Sequence, residues 1–574
     1  MPAARLLTEE TSAGDAIARV LAEAGIDMVF GISGGHTGQI FRGLEKQQNA
    51  IRTVLVREES LGGVMAEVVG RLTRKPGVLI GQGPWVLGNG LLGTLEAHLS
   101  ASPMLLLTDF SDPPNLALHG PYQSATGDYG AWDARTAFRG VTKQVFQALE
   151  PASAVQATQL AIKHALAGEP GPVAVIFSRA SLAGSVDAQS EPRLYATSLY
   201  MPPPPQAADP VLVERAARAL AGAKRAVIIA GNGVRIAGAY GQLERLAGAL
   251  GIPVVTTAAG KGTFAETHPL ALGVFGTFGT AAANAAVAEA DLVLVAGSKL
   301  GASDTARENP ELLDPSRQSF IQIDVEPRNA SWSFPAEHVL IGDAALTLAQ
   351  LSEAATGSAS QRETGAERVG LYRKRHGYFD QPAYTSTNTP IHPQRVIGEL
   401  RRNLPPEAIV TCDAGENRIL MTHLYQTQRA GGFLQAAGSG PMGFGIPAAL
   451  GAKLVHPDRP VVAVCGDGGF AMAMNGMMTA REQDIPIVTV VFNNHALGWV
   501  LHGGGPFAAE FRDFDHAAIA RAMGCGGVRV TEPDALGPAI RDAVAARMPT
   551  VIDVVTSLND ITFADITSPL AKRP

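Results

Sequence analysis

The pattern that most limits the fold of this chain is a strand–helix–strand unit between residues 460 and 494. Residues 460–465 form a short β-branched run, typical of a strand buried on both faces. Residues 470–484 carry apolar side chains at helical spacing, and residues 485–492 are a second apolar run of strand length. Such a unit forms a right-handed crossover between parallel strands, so both strands end at one sheet edge. The pattern therefore predicts an open α/β sheet with a ligand site at that edge.

Oxygen ligands for a hard cation follow both of these strands. Asp467 lies in the glycine-rich turn 466–469 after the first strand, and Asn493-Asn494 follows the second. Mg²⁺ prefers oxygen ligands and is often held by one or two protein groups together with phosphates. The glycines allow a ligand to approach the backbone closely. We expect Asp467 and Asn494 to hold a divalent cation beside a phosphate group; the alternative is an ordinary βαβ turn with a capping Asp.

Composition excludes several classes of function. A chain of 574 residues with 46% hydrophobic and 17% charged residues is a packed globular protein of about three or four domains. A net charge of −7 without a basic run argues against nucleic-acid binding, and no apolar stretch reaches membrane length. Cys412, Cys465 and Cys525 lack metal-binding spacing and indicate reduced thiols in a cytoplasmic protein without a secretory signal.

The chain separates into three α/β blocks and a tail. We predict domains over residues 1–185, 206–355 and 390–560, followed by a C-terminal tail over 561–574. The four prolines 202–205 form a stiff linker between the first two blocks. Because short β-branched runs alternate with helical segments in each block, we predict three doubly wound parallel sheets.

Individual elements follow from periodicity and capping residues. The first block should open with a helix over residues 15–24, capped by Thr11 or Ser12, and continue with a strand over 28–30. The second block should open with a helix over 211–221.

The metal motif resembles that of thiamine diphosphate-dependent enzymes. Gly466-Asp467-Gly468 through Asn493-Asn494 is similar to that family's motif, and the resemblance extends over nearly the whole chain. It is strongest for the acetohydroxyacid synthase, pyruvate oxidase and benzaldehyde lyase type. The resemblance implies that Asp467, Asn494 and the carbonyl of Ala496 bind Mg²⁺. It also implies pyrimidine-binding, middle Rossmann-like and diphosphate-binding domains in that order, and at least a homodimer, with a homotetramer favoured.

The same resemblance implies a set of cofactor-binding residues. Met442 would be the apolar wedge beneath the bent cofactor, and the carbonyl of Gly440 would accept a hydrogen bond from its 4′-amino group. Residues 413–417 would line the diphosphate, with Asn417 donating to it and Glu416 pointing away. The predicted cofactor-binding residues are Gly415, Asn417, Gly440, Met442, Gly466, Gly468 and Gly469.

Three residues are predicted to act in catalysis. In the family, a carboxyl group hydrogen-bonded to N1′ holds the aminopyrimidine in its imino form. Residues 54–59 resemble the strand end that carries this acid, which points to Glu59; Glu58 is the alternative, and strand alternation allows only one of them to face the cofactor. His36 matches a histidine turn of benzaldehyde lyase and cyclohexane-1,2-dione hydrolase and could relay a proton, or it could cap a helix. Gln123 would contact the reacting carbonyl.

Two further regions are expected to affect specificity. Gln82 and Trp85 differ from the small residues usual in the family at the turn around Gly83, so Trp85 is expected to reshape the pocket. The loop after Asn494, which ends in three glycines at 503–505, is expected to act as a mobile lid.

The middle block could hold FAD or ADP. Gly231-Asn232-Gly233 is a partial dinucleotide fingerprint, and Asp324 ends a strand where a carboxylate could bind ribose. The alternative is a domain that contributes packing alone.

The resemblance implies an enzyme that breaks or forms C–C bonds. We expect a thiamine diphosphate- and Mg²⁺-dependent lyase or carboligase acting on a small carbonyl substrate: a 2-oxo acid, a 2-hydroxy ketone or a 1,2-diketone. One alternative is a 2-hydroxyacyl-CoA lyase-like activity, and another is flavin-coupled oxidation of a 2-oxo acid. The alternative outside catalysis is a cofactor-binding regulatory subunit.

Overall fold

The computed structural model describes residues 4–111, 123–355, 365–436 and 438–561. The chain divides into two compact units, one made of residues 1–204 with 450–455 and the other of 205–449 with 456–574. The first unit contains one six-stranded sheet and the second contains two, within the described residues. All three sheets are parallel, which confirms the predicted fold class of doubly wound α/β domains; the predicted domain boundaries stay a prediction.

The sheet of the first unit has the strand order β3-β2-β4-β5-β7-β6. Its strands are β2 Met28–Gly31, β3 Arg52–Leu55, β4 Gly77–Ile80, β5 Met104–Phe110, β6 Gln144–Ala148 and β7 Pro172–Ser178, while β1 Thr11–Ser12 pairs antiparallel with β8 Ser185–Val186. The helices are α1 Ala13–Glu23, α2 Gly38–Lys46, α3 Glu59–Thr73, α4 Gly83–Gly88, α5 Leu91–Leu99, α6 Ala134–Arg139, α7 Pro151–Leu166 and α8 Arg179–Ala183.

The middle sheet has the order β11-β10-β9-β12-β13-β14. Alternate residues of its strands face two separate cores: Val227 and Val293 lie in one, Ile228 and Leu294 in the other. The strands are β9 Ala226–Ala230, β10 Val254–Thr256, β11 Ala271–Val274, β12 Leu292–Ala296, β13 Ser319–Asp324 and β14 His338–Ile341. The helices are α9 Pro210–Gly222, α10 Asn232–Ile236, α11 Tyr240–Leu250, α12 Ala281–Ala288, α13 Ala344–Ala355 and α14 Gly365–His376.

The C-terminal sheet has the order β16-β15-β17-β18-β20-β19. Its strands are β15 Ile409–Cys412, β16 Phe433–Gln435, β17 Val461–Gly466, β18 Val488–Asn493, β19 Gly526–Val530 and β20 Thr550–Val555. The helices are α15 Pro393–Asn403, α16 Glu416–Leu424, α17 Gly445–Val455, α18 Asp467–Ala473, α19 Asn475–Glu482, α20 Gly498–Gly504, α21 His516–Ala522 and α22 Pro533–Ala545. Every residue of β18 is buried, as expected for a central strand covered on both faces.

The predicted elements agree with the structure except in three places, one of which is the loop predicted after Asn494: Gly498–Gly504 form helix α20 instead. Ser12 caps α1 through a 3.1 Å hydrogen bond from the amide of Asp15, as one of the two predicted caps. The single helix predicted over 470–484 is instead two helices, α18 and α19, which meet at Met474. None of the helices in the described part of the chain is long and apolar enough to cross a bilayer.

The third difference concerns the acidic pair that follows β3. This strand ends at Leu55, so neither glutamate lies in it. Glu58 is the N-cap of α3 with an extended backbone, and Glu59 is the first residue of the helix. The argument from strand alternation is therefore wrong, because helix geometry determines the direction of the Glu59 side chain.

Candidate active site

The predicted metal ligands meet where β17 and β18 end. These neighbouring strands are parallel, with Gly466 in register with Phe492, so their carboxyl ends lie at one edge. The amide nitrogen of Ala496 lies 3.2 Å from the Asp467 Oδ2 atom and 3.1 Å from the Asn494 Oδ1 atom. The Asp467 and Asn494 side-chain oxygens therefore lie close together, because both accept from the same N–H group.

Asp467 is a buried carboxylate whose hydrogen bonds come from backbone amides. It is 5% exposed, and its Oδ1 atom accepts from the amide of Gly468 at 2.7 Å. Burial raises the pKa of Asp467, and no Lys or Arg of the described residues forms an ion pair with it. His516 is the nearby side chain whose charge favours ionised Asp467, and a buried carboxylate with so little compensation fits a bound cation. No cluster of three or more His, Cys, Asp or Glu that could hold a metal occurs among the described residues, so a cation here would rely on one carboxylate with amide and carbonyl oxygens.

A cavity of about 300 Å³ opens beside these two residues. All the residues of the second unit that were predicted to bind the cofactor or the metal line this cavity. Residues that are far apart in sequence therefore come together here. The members of the two sets that line it are Gly415, Asn417, Gly440, Met442, Gly466, Asp467, Gly468, Gly469, Asn494 and Ala496.

Two glycines of this cavity are required by the backbone or by close packing. Gly415 has φ of +105°, in the region that favours glycine. A Cβ atom on Gly468 would lie 2.9 Å from the Met442 Cε atom and 3.1 Å from the Leu497 side chain. The Met442 side chain therefore packs directly on the glycine-rich turn.

Asn417 uses one hydrogen-bond donor locally. Its Nδ2 atom donates to the carbonyl oxygen of Asp413 at 3.0 Å, and its Oδ1 atom lies 3.1 Å from the Cβ position of Gly415. The Nδ2 atom also lies 3.7 Å from the Cys412 Sγ atom, which is a weak acceptor. The predicted donation to a diphosphate would replace this weak contact, and it stays a prediction.

Asp413 directly precedes the cavity-lining residue Ala414 and was not predicted as a separate site residue. Its carboxylate accepts from the amides of Ala414 at 2.7 Å, Gly443 at 2.9 Å and Gly445 at 3.1 Å. Burial raises the pKa of Asp413 to about 6. These bonds tie the end of β15 to the turn that carries Met442. An Asp directly after a buried strand was the available signal in the sequence.

Glu416 does not point away, and that prediction is wrong. It lines the cavity, with its Oε1 atom 2.6 Å from the Nδ1 atom of His502 and its Oε2 atom 3.4 Å from the Nδ2 atom of Asn494. Burial raises the pKa of Glu416, and His502 acts in the opposite direction. The structural reason is that Glu416 is the first residue of α16, which begins at the cavity wall.

Arg418 is a further cavity residue that the sequence patterns did not reveal. It is the single Lys or Arg among the residues that line the cavity, and it is half-buried. Its Nη1 atom donates to the carbonyl oxygen of Ala436 at 2.7 Å and lies 2.9 Å from the Cβ position of Gly440. A guanidinium fixed in this way supplies positive charge to the cavity.

The first unit contains Glu59, a buried acid at the start of α3. Glu59 is 7% exposed, and its Oε2 atom accepts from the Nδ2 atom of Asn89 at 3.0 Å. Its side chain also lies near Gly81, since a Cβ atom there would be 3.7 Å from the Glu59 Cγ atom. Glu59 is thus held at the carboxyl edge of the first sheet, just beyond β4.

His36 and Gln123 lie in turns at the same edge of the first sheet. The amide of His36 donates to the Asp109 carboxylate, which also accepts from the amide of Gly83 at 2.9 Å. The Nε2 atom of Gln82 donates to the Oε1 atom of Gln123 at 2.7 Å. Asp109 therefore fixes the turns that carry His36 and Gly83, and Gln82 in the second of these turns bonds Gln123. The predicted roles of His36 and Gln123 stay predictions.

The glycines of the middle domain pack against one another. The amide of Gly233 donates to the carbonyl oxygen of Gly297 at 2.9 Å, and a Cβ atom on Gly231 would lie 2.2 Å from that same oxygen. Asp324 accepts from the amide of Glu326 at 3.0 Å and from the Nδ2 atom of Asn329 at 3.3 Å. Close backbone packing explains why glycine occurs at 231 and 233, and local hydrogen bonds occupy Asp324. The binding of FAD or ADP in this domain stays a prediction.

Comparison with known proteins identifies the family to which the chain belongs. Three family models match: the N-terminal TPP binding domain of thiamine pyrophosphate enzymes over residues 11–126, the central domain over 213–351 and the C-terminal TPP binding domain over 413–554. The chain is 30% identical to a probable acetolactate synthase large subunit of Methanocaldococcus jannaschii, over 94% of this chain and 91% of the relative. It is also 30% identical to an acetolactate synthase large subunit of Corynebacterium glutamicum, over 95% and 87%. A probable 2-ketoarginine decarboxylase AruI of Pseudomonas aeruginosa is 30% identical over 92% and 91%. The chain therefore belongs to the thiamine pyrophosphate-dependent enzymes of the acetohydroxyacid synthase type.

Proposed function

We propose that this enzyme breaks and forms C–C bonds of 2-oxo acids, 2-hydroxy ketones or 1,2-diketones, using thiamine diphosphate and Mg²⁺. The observation that carries the proposal is the convergence of the Asp467 and Asn494 oxygens, within 3.2 Å of one amide, at the rim of a glycine-lined cavity. Asp467 is a buried carboxyl group that forms no ion pair with a Lys or Arg of the described residues, which suits a divalent cation.

The residues of the second unit would hold the diphosphate end of the cofactor. Asp467, Asn494 and the carbonyl of Ala496 are the proposed Mg²⁺ ligands, and the metal would in turn bind the phosphates. Gly466, Gly468 and Gly469 have no side chains of their own to keep the phosphates away from the backbone. Arg418 adds a positive charge to the same cavity.

The remaining proposed roles concern the reacting end of the cofactor. Bound thiamine diphosphate supplies an electron sink for C–C bond chemistry. Glu59 would accept or share the proton at N1′ of the aminopyrimidine, and Met442 would support the ring from below. His36 would exchange a proton with the substrate oxygen, and Gln123 would hydrogen-bond the reacting carbonyl.

The cavity wall favours a substrate with a small or apolar side chain. Leu497, Trp499 and Val500 form an apolar stretch of the lining. The name of one relative, 2-ketoarginine decarboxylase, implies a substrate that ends in a guanidinium group. Such a substrate would need an anionic side chain in the cavity that is free to bind it. Glu416 is already bonded to His502 at 2.6 Å, so it does not offer that anion. The acetolactate synthase relatives also support a small 2-oxo acid.

A substrate panel tests the proposal. The purified enzyme is incubated with and without thiamine diphosphate and Mg²⁺ and given pyruvate, benzoylformate, benzoin, cyclohexane-1,2-dione, oxalyl-CoA, a 2-hydroxyacyl-CoA and a 2-oxo acid ending in a guanidinium. Products are followed by NMR. We expect cofactor-dependent turnover of a small carbonyl compound, and its loss in Asp467→Asn. Turnover of CoA esters alone would refute the proposed substrate class, and flavin absorbance that pyruvate bleaches would indicate the oxidase alternative.

Assembly and location complete the proposal. We infer a homodimer at least, and favour a homotetramer, because thiamine diphosphate enzymes of this type build their active sites between subunits. Light scattering of the purified enzyme measures this directly. Cys412, Cys465 and Cys525 are buried free thiols, which suits a reducing compartment such as the cytoplasm.

A further inference from the structure

A hydrogen-bonded pair outside the proposed catalytic set joins two walls of the cavity. Glu416 begins α16, and His502 lies in α20. The Glu416 Oε1 atom is 2.6 Å from the His502 Nδ1 atom, and the two side chains are only 8% and 13% exposed. On its far side, the His502 Nε2 atom is 3.0 Å from the carbonyl oxygen of Leu558. His502 therefore joins α16, α20 and the segment after β20.

These partners restrict where the protons lie. A carbonyl oxygen can only accept, so the His502 Nε2 atom must carry hydrogen. The Nδ1 atom then either donates to an ionised Glu416 or accepts from a protonated one. Both arrangements carry no net charge. The pair can therefore sit beside the site of an anionic diphosphate without adding repulsion.

Helix α20 has few other anchors near its C-terminal end. Its first turn is fixed, because Trp499 packs edge-on against Phe278 with ring centroids 6.2 Å apart. The helix ends in glycines, and a Cβ atom on Gly503 or Gly504 would meet nothing within 4 Å among the described residues. Among the described residues, His502 thus supplies side-chain hydrogen bonds that hold this end of the helix.

The position of α20 affects the shape of the cavity. Trp499 and Val500 lie on this helix and line the cavity together with Leu497, which precedes it. A Cβ atom on Gly498 would lie 2.4 Å from the Glu416 Oε2 atom, which shows how tightly the helix packs on this carboxylate. A shift of the helix would move the apolar wall.

We propose that Glu416 and His502 are positioning residues that hold α20 against the cavity and thereby set the wall that the substrate contacts. The part concerning the substrate rests on the proposed function. The part concerning α20 does not, because it follows from contacts within the chain itself.

Hydrogen–deuterium exchange of the full-length protein, with and without thiamine diphosphate and Mg²⁺, tests the contact. In Glu416→Ala and His502→Phe, amides of residues 498–505 should exchange roughly ten- to hundredfold faster, as expected when a hydrogen bond to a charged group is lost. Glu416→Gln should stay close to wild type, since its amide can donate to a neutral His502 Nδ1 atom. His456→Phe is the matched control, because the half-buried His456 ring has no hydrogen bond among the described residues.

Steady-state kinetics provide the second readout. For whichever carbonyl substrate the enzyme turns over, Glu416→Ala and His502→Phe should raise KM about tenfold with a smaller change in kcat when thiamine diphosphate and Mg²⁺ are saturating. The wall then moves while the reacting groups stay occupied and in place. Glu416→Gln should restore KM.

Two outcomes overturn the inference. One is unchanged exchange of residues 498–505 in both disruptive variants, and the other is exchange in Glu416→Gln as fast as in Glu416→Ala. A complete absence of turnover would refute the proposed function, yet it would leave the exchange measurement able to decide the role of the pair.

Discussion

Adding one methyl group to Gly498 should disturb the candidate cofactor site, and the structure gives the size of the effect. A Cβ atom at this position would lie 2.4 Å from the Glu416 Oε2 atom and 3.0 Å from the Asn494 Nδ2 atom. Glu416 is a flexible side chain, but it can retreat only by giving up its 2.6 Å bond to His502. Loss of a hydrogen bond to a charged group costs about 1.5–3 kcal/mol, and overpacking costs a similar amount.

Gly503→Ala provides a matched control in the same helix. Its Cβ atom would meet nothing within 4 Å among the described residues, and its backbone has no positive φ. An exposed helical Gly→Ala change should stabilise the protein by about 0.5–1 kcal/mol. The two variants therefore have the same chemistry and opposite expected effects.

Calorimetric titration of thiamine diphosphate at saturating Mg²⁺ measures the result. If Gly498→Ala displaces Glu416 or Asn494, the dissociation constant should rise at least about tenfold, since each 1.4 kcal/mol is a factor of ten. Gly503→Ala should bind like the wild type. Equal affinity in Gly498→Ala and wild type, or equal weakening in both variants, would refute the reasoning about this contact.

Three other substitutions test separate parts of the site. Glu59→Gln should reduce kcat roughly 10²- to 10⁴-fold with little change in cofactor affinity, and an unchanged kcat would remove Glu59 from the mechanism. Asp467→Asn should weaken Mg²⁺ binding by more than roughly 100-fold, because losing a residue that only supports a ligand already costs roughly 10–100-fold in metal affinity. An unchanged Mg²⁺ affinity in a metal titration would contradict the role of Asp467 as a ligand. Because burial raises the pKa of Asp413 to about 6, its carboxyl group favours the folded state below its usual pKa and loses that contribution as pH rises through 6. Between pH 4 and pH 7, the free energy of unfolding of Asp413→Asn should therefore rise relative to that of the wild type by roughly 2 kcal/mol. Parallel pH profiles in urea unfolding would show this to be wrong.

The sequence determined the metal motif because its parts are close along the chain. A strand, a helical segment and a second strand must form a right-handed crossover, which brings the two carboxyl ends to one edge. The meeting of Asp467 and Asn494 follows from this rule, and the structure has it. Periodicity and capping likewise determined most helices and strands, because these are properties of neighbouring residues.

Only the tertiary structure decided which distant segments support the cavity. The contacts of Glu416 with His502, of His502 with Leu558 and of Asp413 with Gly443 join residues that are 86, 56 and 30 positions apart. No periodic pattern marks such pairs, so the sequence led to the wrong direction for Glu416. Tertiary contacts also decide that Glu59 lies in helix α3 and not in the preceding strand. Strand β3 ends where its pairing with β2 ends, and the residues of β3 alone do not determine that point.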